Sequence, residues 1–435
     1  MAKAPKRTGP RRRPVYMVDG TRTPFLKARN QPGPFRAADL AVQCGRALLL
    51  RQPFEPAVLD EVILGCIMPR PDEANIGRVV ALRLGCGHGV PAWTVQRNCA
   101  SGMQAVDSAR RAIADGHADL VLAGGTEAMS HAPVLLNDDA VAALGHFFAA
   151  RTLGARLQAV SQFRPRHLKP LFALLKGLTD PVVNLSMGQT AEVLAERFQI
   201  NREEMDRFAA ESHQRLAAAQ QEDRLGEIVP IFDAAVNGYP QDDGVRADST
   251  PERLAKLRPV FDRPFGQVTA GNSAQITDGA SWLLLASESA LKQHGLSARA
   301  RLVDGAWAGL DPAEMGLGPA YAMAPLLKDH RLSVNSIDYW EINEAFAAQV
   351  LACLAAWKDR NWCRDNLGWS RAVGEIPRDR LNVEGGAVAL GHPVGTSGAR
   401  IVLHLMNVLE ANGARRGIAS LCIGGGQGGA MLVER

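Results

Sequence analysis

Short apolar runs that alternate with amphipathic stretches constrain this chain to an α/β fold. Runs such as PVYMVDG, DEVILGCIM, AWTV and ADLVLAGG read as buried strands. FRAADLAVQCGRALLLR and SGMQAVDSARRAIADG carry apolar residues at helical spacing. The same alternation returns after residue 290, from ARLVDGAWAG to the closing GAMLVER. We therefore expect two similar α/β halves, each with helices on both faces of a mainly parallel sheet, although periodicity alone does not establish a repeat.

The segment between these halves differs from them in its predicted secondary structure and polarity. It contains long polar helical stretches such as REEMDRFAAESHQRLAAAQQ and loops such as NGYPQDDG, which indicate an inserted lobe. The predicted division is a basic tail at 1–14, a first half formed by 15–127 plus 266–290, an inserted lobe at 128–265 and a second half at 291–435.

Part of the lobe is basic and free of acidic residues. Residues 140–179 include six Lys or Arg and no Asp or Glu, and Leu153, Leu157 and Val160 follow a helical i, i+4, i+7 spacing. Such a segment could lie on an anionic membrane or dock a partner through residues 144–178. The alternative is a packed helix with a solvated basic face.

Composition excludes several classes of protein. With 46% hydrophobic residues, 22% charged residues and a net charge of +4, the chain is neither disordered nor a dedicated nucleic-acid binder. Its seven cysteines form an odd set without a CxxC pair, so we expect no disulfide framework and no bound metal.

The cysteine content and the first residues bear on the compartment. Unpaired cysteines favour a reducing compartment, namely the cytoplasm of a bacterium or, in a eukaryote, the mitochondrion. The opening MAKAPKRTGPRRRP lacks the apolar core of a secretory signal and reads as a basic tail, with an organelle-targeting peptide as the alternative.

Cys99 is the first candidate for chemistry. It follows the strand-like AWTV and precedes a helical run, so we place it at a helix N-terminus, where backbone N–H groups favour a thiolate. Small neighbours in NCASG would let a bulky thioester approach the backbone. The alternative is a buried, inert thiol.

His392 is the second candidate. It lies in NVEGGAVALGHPVGTSGARI, whose glycine density favours tight turns that present the imidazole from a loop. A histidine that only makes local hydrogen bonds is the alternative.

Two further stretches add candidates. The closing CIGGGQGGA matches G-x-G-x-x-G, yet only six residues follow Gly429, too few for a dinucleotide-binding unit. These glycines are better suited to bring backbone amides to a reacting carbonyl, which makes Cys422 a second candidate thiol. Asn343 falls at a strand-to-helix junction, where it either caps the helix or holds a water or carbonyl in a site.

Eight motifs in series resemble the thiolases, the family of acetyl-CoA acetyltransferases and 3-ketoacyl-CoA thiolases. The resemblance runs from about Val15 to Glu434. Within the family, the chain most resembles the β subunits of fatty-acid oxidation (trifunctional) complexes. The motifs are RTPF (22–25), NCASGMQAV (98–106), GGTEAMS (124–130), MGQTAE (187–192), VTAGNSAQITDGA (268–280), NEAFA (343–347), GGAVALGHPVGTSGAR (385–400) and CIGGGQGGA (422–430).

The resemblance implies a fold and a set of roles. The fold is a five-layered α/β/α/β/α sandwich of two five-stranded sheets with an inserted loop domain. Cys99 matches the nucleophile, His392 its base and Cys422 the acid/base at the substrate's α-carbon. Asn343, with a water and His392, matches one oxyanion hole, and the backbone amides of Cys99 and Gly424 match the other.

The resemblance also implies coenzyme A or acyl-CoA as substrate, with no covalently bound cofactor. The implied contact residues are Met187, Leu257, Phe261, Ala270, Gly271, Ser273 and Phe346. Two departures affect these contacts, because Ser186 stands where many thiolases have His and GNSA replaces GNAS. Implied partners are a second copy, as a homodimer or dimer of dimers, and a hydratase/dehydrogenase α subunit.

The expected activity is reversible thiolysis of 3-ketoacyl-CoA, including acetoacetyl-CoA, through an acyl-cysteine. Biosynthetic condensation of acetyl-CoA is the alternative for the same site. A decarboxylating condensing enzyme would lack a counterpart of Cys422, and a lipid-carrier protein on this fold would have lost a catalytic residue.

Overall fold

The computed structural model describes residues 13–29 and 31–435. Most of the predicted basic tail, up to residue 12, lies outside the described residues. The first part of the chain forms β1 (Tyr16–Arg22), β2 (Leu26–Lys27), α1 (Ala37–Leu49), β3 (Glu61–Gly65), α2 (Ile76–Arg83), β4 (Ala92–Val95), α3 (Ser101–Asp115) and β5 (Leu120–Ala128).

The lobe that follows is mainly helical. Its elements are β6 (Val134–Leu135), α4 (Asp138–Ala149), α5 (Leu153–Ser161), β7 (Leu171–Phe172), α6 (Ala173–Gly177), α7 (Met187–Arg197), α8 (Arg202–Gln221), β8 (Ile231–Phe232), β9 (Gly238–Tyr239) and α9 (Pro251–Leu254). Strand β10 (Thr277–Ala286) then returns to the first half and pairs with both β1 and β5.

The second half repeats the alternation of strands and helices. Its elements are α10 (Glu288–His294), β11 (Ala300–Gly309), α11 (Gly318–Asp329), β12 (Tyr339–Ile342), α12 (Ala347–Lys358), α13 (Arg360–Trp362), α14 (Ala387–Leu390), α15 (Ser397–Ala411), β13 (Arg416–Ile423) and β14 (Gln427–Glu434).

The two halves share one strand order. The first half runs β1, β10, β5, β3, β4, and the second runs β11, β14, β13, β12, with matching parallel and antiparallel pairs. A single bridge between Trp340 and Leu381 stands where the second half would have its fifth strand. The topology therefore establishes the repeat that periodicity alone left open.

The sheets differ from expectation in two respects. Each half is a mixed sheet and not a mainly parallel one, because β10 pairs antiparallel with β1 and β5, and β14 pairs antiparallel with β11 and β13. The second difference is that the two sheets are joined. Strand β1 pairs with β11 through Tyr16 with Arg301 and Met17 with Ala300, so the two sheets form one continuous sheet of ten strands, including β2. This pairing joins residues almost 300 positions apart, which no local pattern indicates.

Alternating side chains on the strands confirm the five layers. On β5, Leu120 and Leu122 pack with α1 and α2, whereas Val121 and Ala123 pack with α3 and α15. On β13, Ile418 and Cys422 face α11 and α12, whereas Ala419 and Leu421 face α3 and α15. Helices α3 and α15 therefore form the central layer between the two sheets.

The central helices touch through glycines. A Cβ on Gly102 would lie 2.9 Å from the Ala399 amide nitrogen, and a Cβ on Gly398 would lie 2.7 Å from the Met103 amide nitrogen. Because these spacings exclude any side chain, the N-termini of α3 and α15 are in backbone contact. This contact places the end of the Cys99 loop against the loop that carries His392.

The basic segment of the lobe lies at the surface. Leu153, Leu157 and Val160 on α5 are 74%, 63% and 56% exposed, so the predicted alternative of a packed helix is wrong for their apolar face. No helix among the residues that the structure describes has the length and apolar character needed to cross a bilayer. The domain boundaries drawn from the sequence remain predictions.

Candidate active site

Cys99 lies in the loop that joins β4 to α3, directly before the first turn of the helix. Its side chain is partly exposed, in contrast to the other six cysteines, which are buried. The backbone of Asn98 has a φ of 43°, and its side-chain amide donates to the Gly424 carbonyl at 2.8 Å. Cys99 is therefore held against the C-terminal glycine loop and is not fully buried.

The electrostatics at Cys99 differ from the sequence-based expectation. The backbone amides of Gly424 and of Cys99 itself lie near the sulfur and favour the thiolate, yet burial outweighs them and raises the pKa of the thiol. The amides therefore act on Cys99 as its position before a helix predicts, but desolvation is the larger effect.

His392 lies in a tight loop between α14 and α15. Gly391 precedes it with a φ of 102°, and a Cβ on Gly391 would lie 2.2 Å from Thr277, so the turn requires glycine. The His392 amide donates to the Gln275 carbonyl at 3.0 Å. These constraints fix where the imidazole sits.

The hydrogen bonds of His392 make it suited to accept a proton. Nδ1 lies 2.7 Å from Ser397 Oγ, and that hydroxyl donates to the Pro393 carbonyl at 3.2 Å. Nε2 is buried without a partner among the described residues, and it is the acceptor when Nδ1 carries the imidazole hydrogen. Burial, helped by Arg400, lowers the pKa of His392 to about 4, so the ring is neutral near pH 7.

Asn343 follows β12 and does not cap the next helix. Helix α12 is preceded by Phe346, whereas the Asn343 backbone amide donates to the Ser420 carbonyl at 2.9 Å. The side chain is fully buried, and neither its oxygen nor its nitrogen has a partner among the described residues. A buried amide with both polar atoms unpaired is costly and is typical of a site that a ligand or water completes.

Cys422 lies near the end of β13, two residues after the Ser420 that holds Asn343. Burial raises the pKa of its thiol well above the usual value, and the nearby Cys99 thiol raises it further. Gly424 follows in the turn between β13 and β14, and its backbone contacts both Asn98 and Cys99. The structure thus brings Cys99, Cys422, Gly424 and Asn343 into one region, with His392 on the adjoining loop.

Glu127 is a buried residue of this region that sequence reasoning missed. Its carboxylate accepts the amides of Ile67 at 2.9 Å, Met68 at 3.0 Å and Gly395 at 3.1 Å. Burial raises the pKa of Glu127 to about 7, and its charge in turn raises the pKa of Cys99. Glu127 belongs to the quoted GGTEAMS motif, but only the fold shows that it ties the 66–68 loop to the His392 loop.

A cavity of about 440 Å³ opens beside Cys99. Asn98, Gly424 and Met187 line it near the sulfur, and residues 173–182 of the lobe form much of its far wall. The lobe therefore covers the candidate site.

Six of the seven predicted coenzyme A contacts lie outside the lining of this cavity. They form a continuous strip that starts at α7, where Phe261 packs on Gly188 beside Met187. Phe261 stacks edge-to-face on Phe346 with ring centroids 5.9 Å apart, and Phe346 bridges to Ser273. Leu257 packs on Gly271 at the other end, next to the exposed Ala270.

Ser186, the departure from the family pattern, has a structural role. It caps α7 by accepting the Gln189 amide at 3.3 Å, while the Gln189 side chain accepts the Ser186 amide at 2.9 Å. Ser273 is also turned inward, with its hydroxyl 2.7 Å from the Thr269 carbonyl. Both serines therefore use their hydroxyls within the chain.

The chain is similar to known proteins over almost its whole length. Residues 15–289 match the family model Thiolase, N-terminal domain, and residues 296–435 match Thiolase, C-terminal domain. The chain is 40% identical to a β-ketoadipyl-CoA thiolase of Acinetobacter baylyi, over 97% of this chain and 99% of that protein. It is 37% identical to the mitochondrial trifunctional enzyme subunit β of Bos taurus, over 98% of this chain and 89% of that protein.

A solved structure gives the same likeness. The human mitochondrial 3-ketoacyl-CoA thiolase in complex with CoA superposes with a TM-score of 0.83 at 35% identity, covering 97% of this chain and 98% of that one.

We predict that Cys99 is a neutral thiol in the free protein and is alkylated only through its small thiolate fraction. Because His392 is neutral and the pKa of Cys99 is raised, the alkylation rate by iodoacetamide should rise roughly tenfold per pH unit from pH 6 to 8. Mass spectrometry of the modified peptide, with Cys99→Ser as the control, measures that rate. A rate that stays flat over this range would show a preformed thiolate–imidazolium pair and contradict the assignment.

Proposed function

This chain belongs to the thiolase family of acyltransferases, and on that premise we propose that it catalyses the reversible thiolytic cleavage of 3-ketoacyl-CoA, including acetoacetyl-CoA, by coenzyme A. The products are acetyl-CoA and an acyl-CoA shortened by two carbons. The observation that carries the proposal is that Cys99 lines a cavity with Gly424 and interacts electrostatically with Cys422, while the buried Asn343 side chain and Nε2 of His392 lack partners among the described residues.

The first step transfers the acyl group to Cys99. The sulfur attacks the 3-keto carbon while its proton passes to Nε2 of His392, the unpaired acceptor. An S–C bond forms, and the bond between carbons 2 and 3 of the substrate breaks. Its electron pair stays on carbon 2 as the enolate of acetyl-CoA.

Cys422 completes this half of the reaction. Its thiol, kept protonated by burial, gives its proton to carbon 2 of the enolate, and acetyl-CoA leaves. Coenzyme A then attacks the acyl group on Cys99, the Cys422 thiolate takes the coenzyme A proton, and the protonated His392 returns its proton to the Cys99 sulfur. The cycle therefore balances in protons and needs no redox cofactor.

Developing negative charge needs donors at two carbonyl oxygens. The Asn343 side-chain amide, with His392 and a water, is suited to the thioester oxygen of the enolate. The backbone amides of Cys99 and Gly424, already directed at the sulfur, are suited to the oxygen of the acyl group on Cys99. Removing one such donor typically lowers the rate by about 10² to 10³.

Several finer features belong to the same proposal. Condensation of two acetyl-CoA molecules runs through the same groups in reverse, so the site serves either direction.

The subunit β relative supports a hydratase/dehydrogenase α subunit as partner, alongside assembly of this chain as a homodimer or dimer of dimers. The cytoplasm, or the mitochondrion in a eukaryote, remains the proposed location.

We predict that substitutions of Cys99 and Cys422 affect two reactions differently. Cys99→Ser should abolish both cleavage of acetoacetyl-CoA and exchange of labelled coenzyme A into acetyl-CoA, since both need the acyl-cysteine. Cys422→Ser should lower cleavage by about 10² to 10⁴ but lower exchange far less, because a coenzyme A thiolate can take its proton from water, whereas protonation of carbon 2 needs the positioned thiol. Both rates are measured on the same purified protein.

The buried Cys353 gives the matched control. Its thiol donates to the Gly316 carbonyl at 3.2 Å and lies in the apolar cluster that also holds Cys422. Cys353→Ser should keep both reactions. An unchanged cleavage rate in Cys99→Ser, or equal loss of both reactions in Cys422→Ser, would contradict the assigned roles.

We further propose that residues 144–178 contact an anionic membrane surface. The segment offers exposed apolar side chains on α5 together with six basic residues in the acid-free stretch 140–179. Apolar side chains beside basic ones favour the boundary of anionic lipid headgroups. Docking of a protein partner is the other outcome that the test distinguishes.

We predict that vesicle binding depends on this apolar face. The double variant Leu153→Ser/Leu157→Ser should bind vesicles of equal parts phosphatidylcholine and phosphatidylglycerol at least about tenfold more weakly than the unaltered chain. Co-sedimentation measures the bound fraction. Deleting the segment is a poorer test, because α6 forms part of the wall of the active-site cavity.

The matched control replaces two equally exposed residues elsewhere. Leu50 and Val236 are 80% and 78% exposed, so Leu50→Ser/Val236→Ser removes similar apolar surface and should leave vesicle binding unchanged. Equal binding by both double variants would refute the membrane proposal and leave a protein partner for this face.

A further inference from the structure

Most residues that line the Cys99 cavity are apolar, and the polar ones are Gln96, Asn98, Thr179 and Asp180. Ile67, Met68 and Met129 line it from the first half, and Leu174, Leu178 and Val182 line it from the lobe. An apolar wall of this kind stabilises aliphatic groups by removing them from water.

The same lining carries no positive charge. None of the described residues that line the cavity is Lys, Arg or His, and the single charged side chain among them is Asp180. Asp180 is 2% exposed, and its carboxylate accepts the amides of Val182 at 2.8 Å and Val183 at 3.1 Å. Lys176 lies on α6 but is exposed and outside the lining. A second carboxylate entering here would lose water, meet no cation and approach a like charge.

The cavity and the predicted coenzyme A strip share only Met187. Met187 lies where they meet, with its sulfur 3.3 Å from the position of a Cβ on Gly424. The strip continues through Phe261 and Phe346, neither of which lines the cavity. A substrate with its reacting carbonyl at Cys99 would therefore place its two ends in different directions.

We propose that this cavity binds the acyl chain of the 3-ketoacyl substrate and selects chains that end in a methyl group over chains that end in a carboxylate. The inference rests on the proposed thiolase activity and adds a substrate class to it. Val182 is the position at which this selectivity can be changed, because it is 76% exposed and lies at the cavity wall beside Asp180.

A matched pair of substrates tests the inference. 3-Ketohexanoyl-CoA and 3-ketoadipyl-CoA have the same number of carbons in the acyl chain and differ only in a terminal methyl or carboxylate. The kcat/KM for thiolysis should favour 3-ketohexanoyl-CoA by at least about tenfold, since a carboxylate in this cavity loses water and meets no cation. Equal values, or a preference for 3-ketoadipyl-CoA, would overturn the inference.

Acetoacetyl-CoA separates this failure from failure of the proposed function. Its chain is too short to test the far wall, so it reports the chemistry alone. Cleavage of acetoacetyl-CoA with no discrimination between the two six-carbon substrates refutes the inference only. Absence of cleavage of all three substrates refutes the proposed function and this inference with it.

A charge introduced at the wall gives the second measurement. Val182→Arg should raise the ratio of kcat/KM for 3-ketoadipyl-CoA over 3-ketohexanoyl-CoA by about fivefold, because it supplies a partner for the carboxylate. Val236→Arg, at a position 78% exposed and outside the cavity, should leave the ratio unchanged. Equal ratios in the two variants would contradict the assignment of this cavity to the acyl chain.

Discussion

The backbone contact between helices α3 and α15 is the constraint on which the candidate site depends. Gly102 and Gly398 allow the two N-termini to meet without intervening side chains, and a Cβ on Gly102 would also lie 2.9 Å from the Gly395 carbonyl oxygen. Cys99 precedes one helix and His392 precedes the other. Because each half of the molecule contributes one of these loops, neither half alone would contain the site.

Burial sets the resting charge of that site. It raises the pKa of both cysteine thiols and lowers that of His392 to about 4, so the three groups are neutral together near pH 7. Charge then arises only when a substrate carbonyl accepts it, beside amide donors that are already in place. A neutral thiol next to a neutral base is suited to reversible chemistry, since neither direction has to begin by neutralising a stable ion pair.

Local sequence patterns predicted much of this structure. The alternation of strands and helices, the loop position of Cys99 and the turn before His392 all follow from residues close together in the chain. The pairing of β1 with β11, the role of Glu127 and the wall at 173–182 do not, because each depends on contacts between distant segments. The raised pKa of Cys99 could not be predicted for the same reason, since helix position is local whereas desolvation is a property of the whole fold.

The central claim is that Cys99 and Cys422, 323 positions apart in the sequence, face the same reacting molecule. Dibromobimane, a short reagent that bridges two neighbouring thiols, measures this directly when the modified peptides are mapped by mass spectrometry. We predict a cross-link between the peptides that contain Cys99 and Cys422, lost in Cys422→Ser and kept in Cys353→Ser. Modification of Cys99 without any bridge to Cys422 would contradict the account.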